Sequence, residues 1–266
     1  MIEIEKALEV AKIASLKAQE VVQGYIKNGF RIDQKGPSNL VTEADIAAEK
    51  IIIETIKEHF PTHSFLGEET EKASYLADNL WVIDPIDGTT NFAHGVPHCG
   101  ISIAYYEKGI PVCGVVLNPF TSEMFSAGKD LGAFLNDEKI NVTPTDELVN
   151  SLIVTGFNYE LTPQVVHGLK AVELLIKEKC HGIRRLGAAS LDMCYVACGR
   201  FDGYYELRLA PWDFGAGLII VEEAGGKVTN LEGSRLTLQD TQVICTNLNI
   251  SDKLRNLVWK AGTNPS

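Results

Sequence analysis

The chain opens on a helical rhythm of apolar positions. Ile4, Ala7, Leu8, Ala11, Ala14, Ala18, Val22 and Tyr25 recur mostly at three- and four-residue steps, which predicts an amphipathic helix over 4–27. A loop is expected at 35–45, "KGPSNLVTEAD", leading into a second helix that stops at Pro61. Thr42 and Asp45 have the spacing of a capping box. The rhythm then changes to short apolar runs. "HSFLGEE" (63–69), "LWVID" (80–84), "CGISIAYYEKG" (99–109) and "IPVCGVVLNP" (110–119) read as strands, the last two as a hairpin. The segment 122–140 continues as antiparallel strands with a turn at Asn136-Asp137. Beyond "TPTDEL" (143–148) strands and helices alternate to the C-terminus. This places a boundary between 1–146, an α+β subdomain, and 147–266, an α/β subdomain.

Composition narrows the class. With 266 residues, 45% hydrophobic and 22% charged, the chain has the make-up of an ordinary globular protein. Its longest apolar blocks, such as "GLIIV" (217–221), fall far short of the roughly 18 residues that suggest a membrane span. Glu3, Glu5 and Lys6 interrupt what a secretory signal would keep apolar, so a cytoplasmic protein is expected. Cysteines 99, 113, 180, 194, 198 and 245 include no CxxC pair. Cys194 with Cys198, and Cys180 with His181, invite a zinc reading, but free thiols in a reducing compartment are expected. A net charge of −11 argues against direct nucleic-acid binding and suits a protein that binds cations.

The acids sit at punctuation points. In "WVIDPIDGTTNF" (81–92), Asp84 ends an extended run because the residue before a proline is pushed into β or polyproline geometry. Asp87 follows, then Gly88, which permits a tight turn, then Thr89 and Thr90, either of which can cap a helix whose free N–H groups would receive an anion. Alone, the Asp-Gly pair would read as a hairpin turn with acids in water. It is not alone: Glu68 and Glu69 end another strand, and Asp213 in "PWDFGAG" stands at a helix start, where it can also serve as a plain cap. If Glu68, Asp84, Asp87 and Asp213 converge, each ionised pair about 4 Å apart repels by roughly 4 kcal/mol at an effective dielectric near 20. Such a cluster needs cations or raised pKa values. An all-oxygen set suggests Mg²⁺ first, with Mn²⁺ or Ca²⁺ as alternatives, and the spacing does not match an EF-hand.

Together "GEE", "WVIDPIDGTTNF", "HGIRRLGAASLDMC" and "PWDFGAGLIIVEEAGG" resemble, in order and spacing, the inositol monophosphatase family of the fructose-1,6-bisphosphatase-like superfamily. The resemblance covers essentially the whole chain. It implies a five-layered αβαβα sandwich, a homodimer, and lithium-sensitive, Mg²⁺-dependent hydrolysis of a small-molecule phosphate ester. Carried over by position, it implies that Glu68, Asp84 and the Ile86 carbonyl hold one Mg²⁺, that Asp84, Asp87 and Asp213 hold a second, and that a third lies near Glu68. It further implies that Thr89, hydrogen-bonded by Asp45, helps orient the attacking water; Glu68 and Thr89 are the candidates for the water's proton-handling partners. The N–H groups of Gly88 and Thr89 would take the phosphate, and Ala189 and Glu206 would line the inositol pocket. Glu206 also reads as a strand-end surface charge. Arg184 and Arg185 read equally as contacts to a second phosphate or a dimer partner, or as solvated; His94 and His98 read as structural. The substrates left open are inositol monophosphates, fructose 1,6-bisphosphate and histidinol phosphate. A partner-binding protein that kept the fold is the rival of another class.

Overall fold

The computed structural model describes residues 2–36, 39–70 and 72–263. Three apolar clusters separate five layers of secondary structure. Two helices form the first layer: α1 (Ile2–Asn28) and α2 (Glu43–His59). Ahead of α2 stands an antiparallel hairpin, β1 (Ile32–Gly36) with β2 (Asn39–Thr42). It occupies most of the stretch read from sequence as a loop; residues 37 and 38 of that reading lie outside the described residues. Thr42 does close a capping box with Asp45 at the start of α2.

The second layer is a seven-stranded sheet in simple chain order: β3 (Ser64–Gly67), β4 (Asn79–Asp87), β5 (Gly100–Glu107), β6 (Ile110–Leu117), β7 (Met124–Gly128), β8 (Gly132–Leu135) and β9 (Glu138–Lys139). The first pair is parallel and the rest antiparallel. Alternation sorts the faces. Trp81, Ile83, Ile101, Ile103 and Tyr105 pack with α1 and α2, whereas Leu80, Val82, Ala104 and Tyr106 turn to the opposite cluster. The β5–β6 and β8–β9 turns place Lys108-Gly109 and Asn136-Asp137 at positive φ, as two-residue hairpins demand.

The middle layer holds α5 (Ala189–Ala197) and α6 (Pro211–Glu223), buried on nearly every face; a five-residue helix, α3 (Thr89–Ala93), follows β4. Next comes a five-stranded sheet ordered β11 (Gly182–Arg184), β10 (Leu152–Thr155), β12 (Gly203–Glu206), β14 (Val243–Thr246), β13 (Lys227–Thr229). Its strands alternate again. Val154, Tyr204, Val243 and Cys245 join the middle layer, while Ile153, Tyr205 and Ile244 face the outermost pair, α4 (Pro163–Lys177) and α7 (Ser251–Thr263). The fold is therefore the αβαβα sandwich. The three-residue strands β11 and β13 carried no readable alternation. All six cysteines are free, and four of them are fully buried.

Candidate active site

In a regular strand, residues three apart point to opposite faces, so Asp84 and Asp87 should diverge. The β4–β5 ladder prevents this. Asp84 pairs with Ser102 and Asp87 with Gly100, so three steps on β4 match two on β5. The extra residue is a bulge at Pro85-Ile86 that returns both acids to one side. Asp213 arrives from the first turn of α6, whose preceding carbonyl, Trp212 O, accepts a bond from Ser102 Oγ at 3.2 Å. One carboxylate oxygen from each of Asp84, Asp87 and Asp213 then lies within 4.8 Å of the others.

Each of these acids is anchored by a donor. Ile86 N–H donates to Asp84 Oδ1 at 3.0 Å, and Ala210 N–H donates to Asp213 Oδ2 at 2.7 Å. Ser190 donates twice to Asp87 Oδ2, from its backbone N–H at 2.7 Å and its hydroxyl at 2.6 Å. Asp84 is 1% exposed. Burial, followed by the charges of Glu68, Asp87 and Asp213, pushes its carboxyl well above the ordinary range. Burial likewise raises Asp213 and lifts Asp87 to about 6, the latter despite the Ser190 bonds. These oxygens, crowded at a distance where ionised pairs repel by roughly 3–4 kcal/mol each, form a donor set that fits a hard divalent cation. Glu68, at the end of β3, lines the same cleft, and its N–H donates to Ile83 O at 3.1 Å.

Thr89 does not cap α3. The cap position is Gly88, at φ +86°, and no side chain caps the helix. The Thr89 hydroxyl instead reaches Ile86 O at 3.1 Å and Asp45 Oδ1 at 3.3 Å. Asp45 is held by the Thr42 N–H and hydroxyl on its other oxygen, and burial raises its carboxyl to about 6. Two acceptors thus compete for one hydroxyl proton.

The cleft has a volume of about 620 Å³. Glu68, Asp84, Ile86, Asp87, Gly88, Thr89, Ala189, Glu206 and Asp213 all line it. Asp45 lies behind Thr89. Glu206 ends β12, and Tyr204 Oη donates to its Oε2 at 2.7 Å. A Cβ at residue 156 would collide with the Glu206 carboxylate where it now sits, so Gly156 leaves the room that this placement uses. Glu206 is therefore no loose surface charge; burial lifts its carboxyl to about 7.

The two arginines separate. Arg185 lines the cleft, donates to Phe157 O at 3.1 Å and lies over the Phe157 and Tyr159 rings. Arg184 is exposed on the edge strand β11. His94 is exposed, and His98 is buried against Asp192 at 3.0 Å. Sequence reading missed Ser190 and Asn91. The Asn91 amide donates to His98 O at 2.7 Å and Leu186 O at 2.8 Å, tying the "DGTTN" turn to the "GAAS" loop. Only the asparagine's place in the long motif hinted at this.

Comparisons with known proteins identify the family. The family model described as "Inositol monophosphatase family" matches residues 3–263. The inositol-1-monophosphatase of Rhizobium meliloti is 42% identical over 242 residues, 89% of each chain. The Nus factor SuhB of Pseudomonas aeruginosa is 39% identical over 251 residues, 92% of each. The solved structure of an inositol monophosphatase from Anabaena superposes with a TM-score of 0.86 at 38% identity, covering 97% of both chains. The chain belongs to the inositol monophosphatase family.

Proposed function

We propose that this chain is a Mg²⁺-dependent phosphomonoesterase that hydrolyses inositol monophosphates to inositol and phosphate. The observation that carries the reading is the meeting of Asp84, Asp87 and Asp213 within 4.8 Å, in one cleft with Thr89 and Glu206. Glu68, Asp84 and the Ile86 carbonyl would hold one Mg²⁺, and Asp84, Asp87 and Asp213 a second, with a third ion near Glu68; Mn²⁺ is the alternative metal. Bound there, the ions supply a water of lowered pKa and neutralise charge on the phosphoryl oxygens and the leaving alkoxide.

The chain's own groups do the rest. The Thr89 oxygen takes a proton from the attacking water as its own hydroxyl proton passes to Asp45 Oδ1, so Thr89 ends as a neutral hydroxyl and Asp45 holds the proton, with Glu68 as the water's second partner. The N–H groups of Gly88 and Thr89 receive phosphoryl oxygens. Glu206 accepts from hydroxyls of the polyol ring, which packs beside Ala189. No serine or cysteine nucleophile is needed, because the displacement is direct.

A homodimer in the cytoplasm, inhibited by lithium, completes the proposal; among the described residues no helix is long and apolar enough to cross a membrane. We also propose the division into 1–146 and 147–266. The seven-stranded sheet precedes that point and the five-stranded sheet follows it, although α6 packs back on the first sheet.

The deciding experiment is phosphate release from inositol 1-phosphate and fructose 1,6-bisphosphate side by side, with Mg²⁺ titrated and omitted. Preference for the first, lost without Mg²⁺, supports the reading. Equal or better turnover of the bisphosphate replaces it with a sugar-bisphosphate or dual-specificity phosphatase. Silence on both directs the search to histidinol phosphate. Silence there too favours a second reading, a partner-binding role, which the likeness to the Pseudomonas Nus factor motivates.

A further inference from the structure

One buried acid near the cleft has no part in the chemistry above. Glu49, on α2, is 0% exposed. Its Oε2 accepts Glu69 N–H at 2.8 Å, and its Oε1 accepts Thr70 N–H at 2.7 Å together with the Thr70 hydroxyl. A charged carboxylate survives such burial only when donors replace its water. Those donors belong to the turn that follows Glu68. A Cβ at residue 67 would strike the Glu49 carboxylate, so Gly67 admits this close approach. Lys72 Nζ donates to Gly67 O at 2.7 Å and Glu68 O at 2.6 Å from the other side.

Asp45 and Glu49 stand one helical turn apart, on one face of α2, and both are fully buried. Asp45 reaches the Thr89 turn and Glu49 reaches the Glu68 turn. We infer that Glu49 is a positioning residue: through the N–H groups of Glu69 and Thr70 it fixes the turn that carries Glu68 on the wall of the cleft that Asp84 also lines. The inference rests on the metal assignment proposed above. Without the Glu49 acceptors, the turn relaxes and Glu68 must be re-ordered each time an ion binds, which weakens affinity while leaving the bound arrangement competent.

The test is calorimetric titration of Mg²⁺ into the full-length chain and into Glu49→Gln, with thermal melts to certify folding. Glutamine keeps the shape but sets its amide N–H groups against the donors on one side, either the Glu69 N–H or the Thr70 N–H and hydroxyl. The expected result is a tenfold or greater weakening of Mg²⁺ binding in a folded Glu49→Gln, with kcat at saturating Mg²⁺ within about threefold of the parent. Thr70→Val, which removes one exposed-side donor only, is expected to weaken binding two- to fivefold, and it decides the matter should Glu49→Gln not fold. Mg²⁺ affinity unchanged within 1.5-fold in the folded variants overturns the role of Glu49. A parent chain that binds no Mg²⁺ overturns the metal assignment itself, and the two failures are distinct.

Discussion

The Tyr204 hydroxyl donates to Glu206 Oε2 at 2.7 Å, two residues along the same strand, and so holds a carboxylate at the edge of the substrate cleft. Burial is the larger influence on that carboxylate, raising it from 4.5 to about 7. A group that binds its proton more tightly when folded adds stability fully below pH 4.5 and loses it as pH rises through 7. Glu206→Gln cannot lose it. The melting temperature of metal-free Glu206→Gln is therefore expected to exceed that of the parent above pH 7, with the gap shrinking toward pH 4.5. A parallel pair of melting curves across pH 4.5–8 checks this. In kinetics, Glu206→Ala removes acceptors for substrate hydroxyls and is expected to raise KM for inositol 1-phosphate about 10- to 100-fold with kcat little changed, since a hydrogen bond to a charged group contributes about 1.5–3 kcal/mol.

Asp84 faces the same problem with charged neighbours added. Its carboxyl is buried among Glu68, Asp87 and Asp213, so the metal-free site is repulsive. Asp84→Asn removes one charge and is expected to melt at or above the temperature of the metal-free parent, while turnover falls at least about 1,000-fold. Mg²⁺ at a hundred times its Kd should stabilise the parent by about 2.7 kcal/mol. For a chain of this size that corresponds to a rise of about 5 °C. The variant should show almost none of that rise. Thermal melts with and without Mg²⁺ separate a metal ligand from a structural acid; an equal rise in both proteins would remove Asp84 from the ligand set.

How much of this was legible before the fold? Alternation on β4, β5, β10 and β12 located the sheets, and the long motifs located the acids. The joint use of Asp84 and Asp87 was expected through the family resemblance and not from strand pattern, since their spacing on an ordinary strand separates them; the ladder register against Ser102 and Gly100 reveals the bulge that supplies the physical reason. Glu49 looked like any helical glutamate in "IAAEK" until the turn after β3 folded over it. Ser190 was hidden for the same reason, since its partner Asp87 is 103 residues away. Local pattern records which face a residue takes, and long-range partners decide what it does there.

Arg184 and Arg185 were indistinguishable in sequence and are not equivalent in space. Arg184→Ala, an exposed edge-strand change, is expected to leave kinetics within about twofold, as surface substitutions usually shift free energies by no more than ~0.5 kcal/mol. Arg185→Ala releases Phe157 O and uncovers the Phe157 and Tyr159 rings. Cation–π contacts of this kind are each worth about 0.5–2 kcal/mol. The 156–160 wall of the cleft should loosen, raising KM for inositol 1-phosphate about three- to tenfold with kcat within twofold. Steady-state kinetics on the two variants decide it, and a KM within twofold of the parent for Arg185→Ala would place Arg185 outside substrate recognition.

The Thr89 hydroxyl carries one proton and has two acceptors, Asp45 Oδ1 and Ile86 O. Its direction therefore depends on Asp45 being the better acceptor, which the ionised carboxylate is. Thr89→Val removes the hydroxyl and is expected to lower kcat by about 100- to 1,000-fold, in the range that positioned proton acceptors contribute. Thr89→Ser should recover most of it. Asp45→Asn keeps an oxygen for Thr42 but turns amide hydrogens toward Thr89, so the hydroxyl swings to Ile86 O and presents the wrong lone pairs to water. A fall of about 10- to 100-fold in kcat follows, with Mg²⁺ affinity near that of the parent. Because Asp45 acts only through Thr89, the double variant should be no slower than Thr89→Val alone. A double variant slowed by the product of the two single effects would show that Asp45 reaches the chemistry by another route.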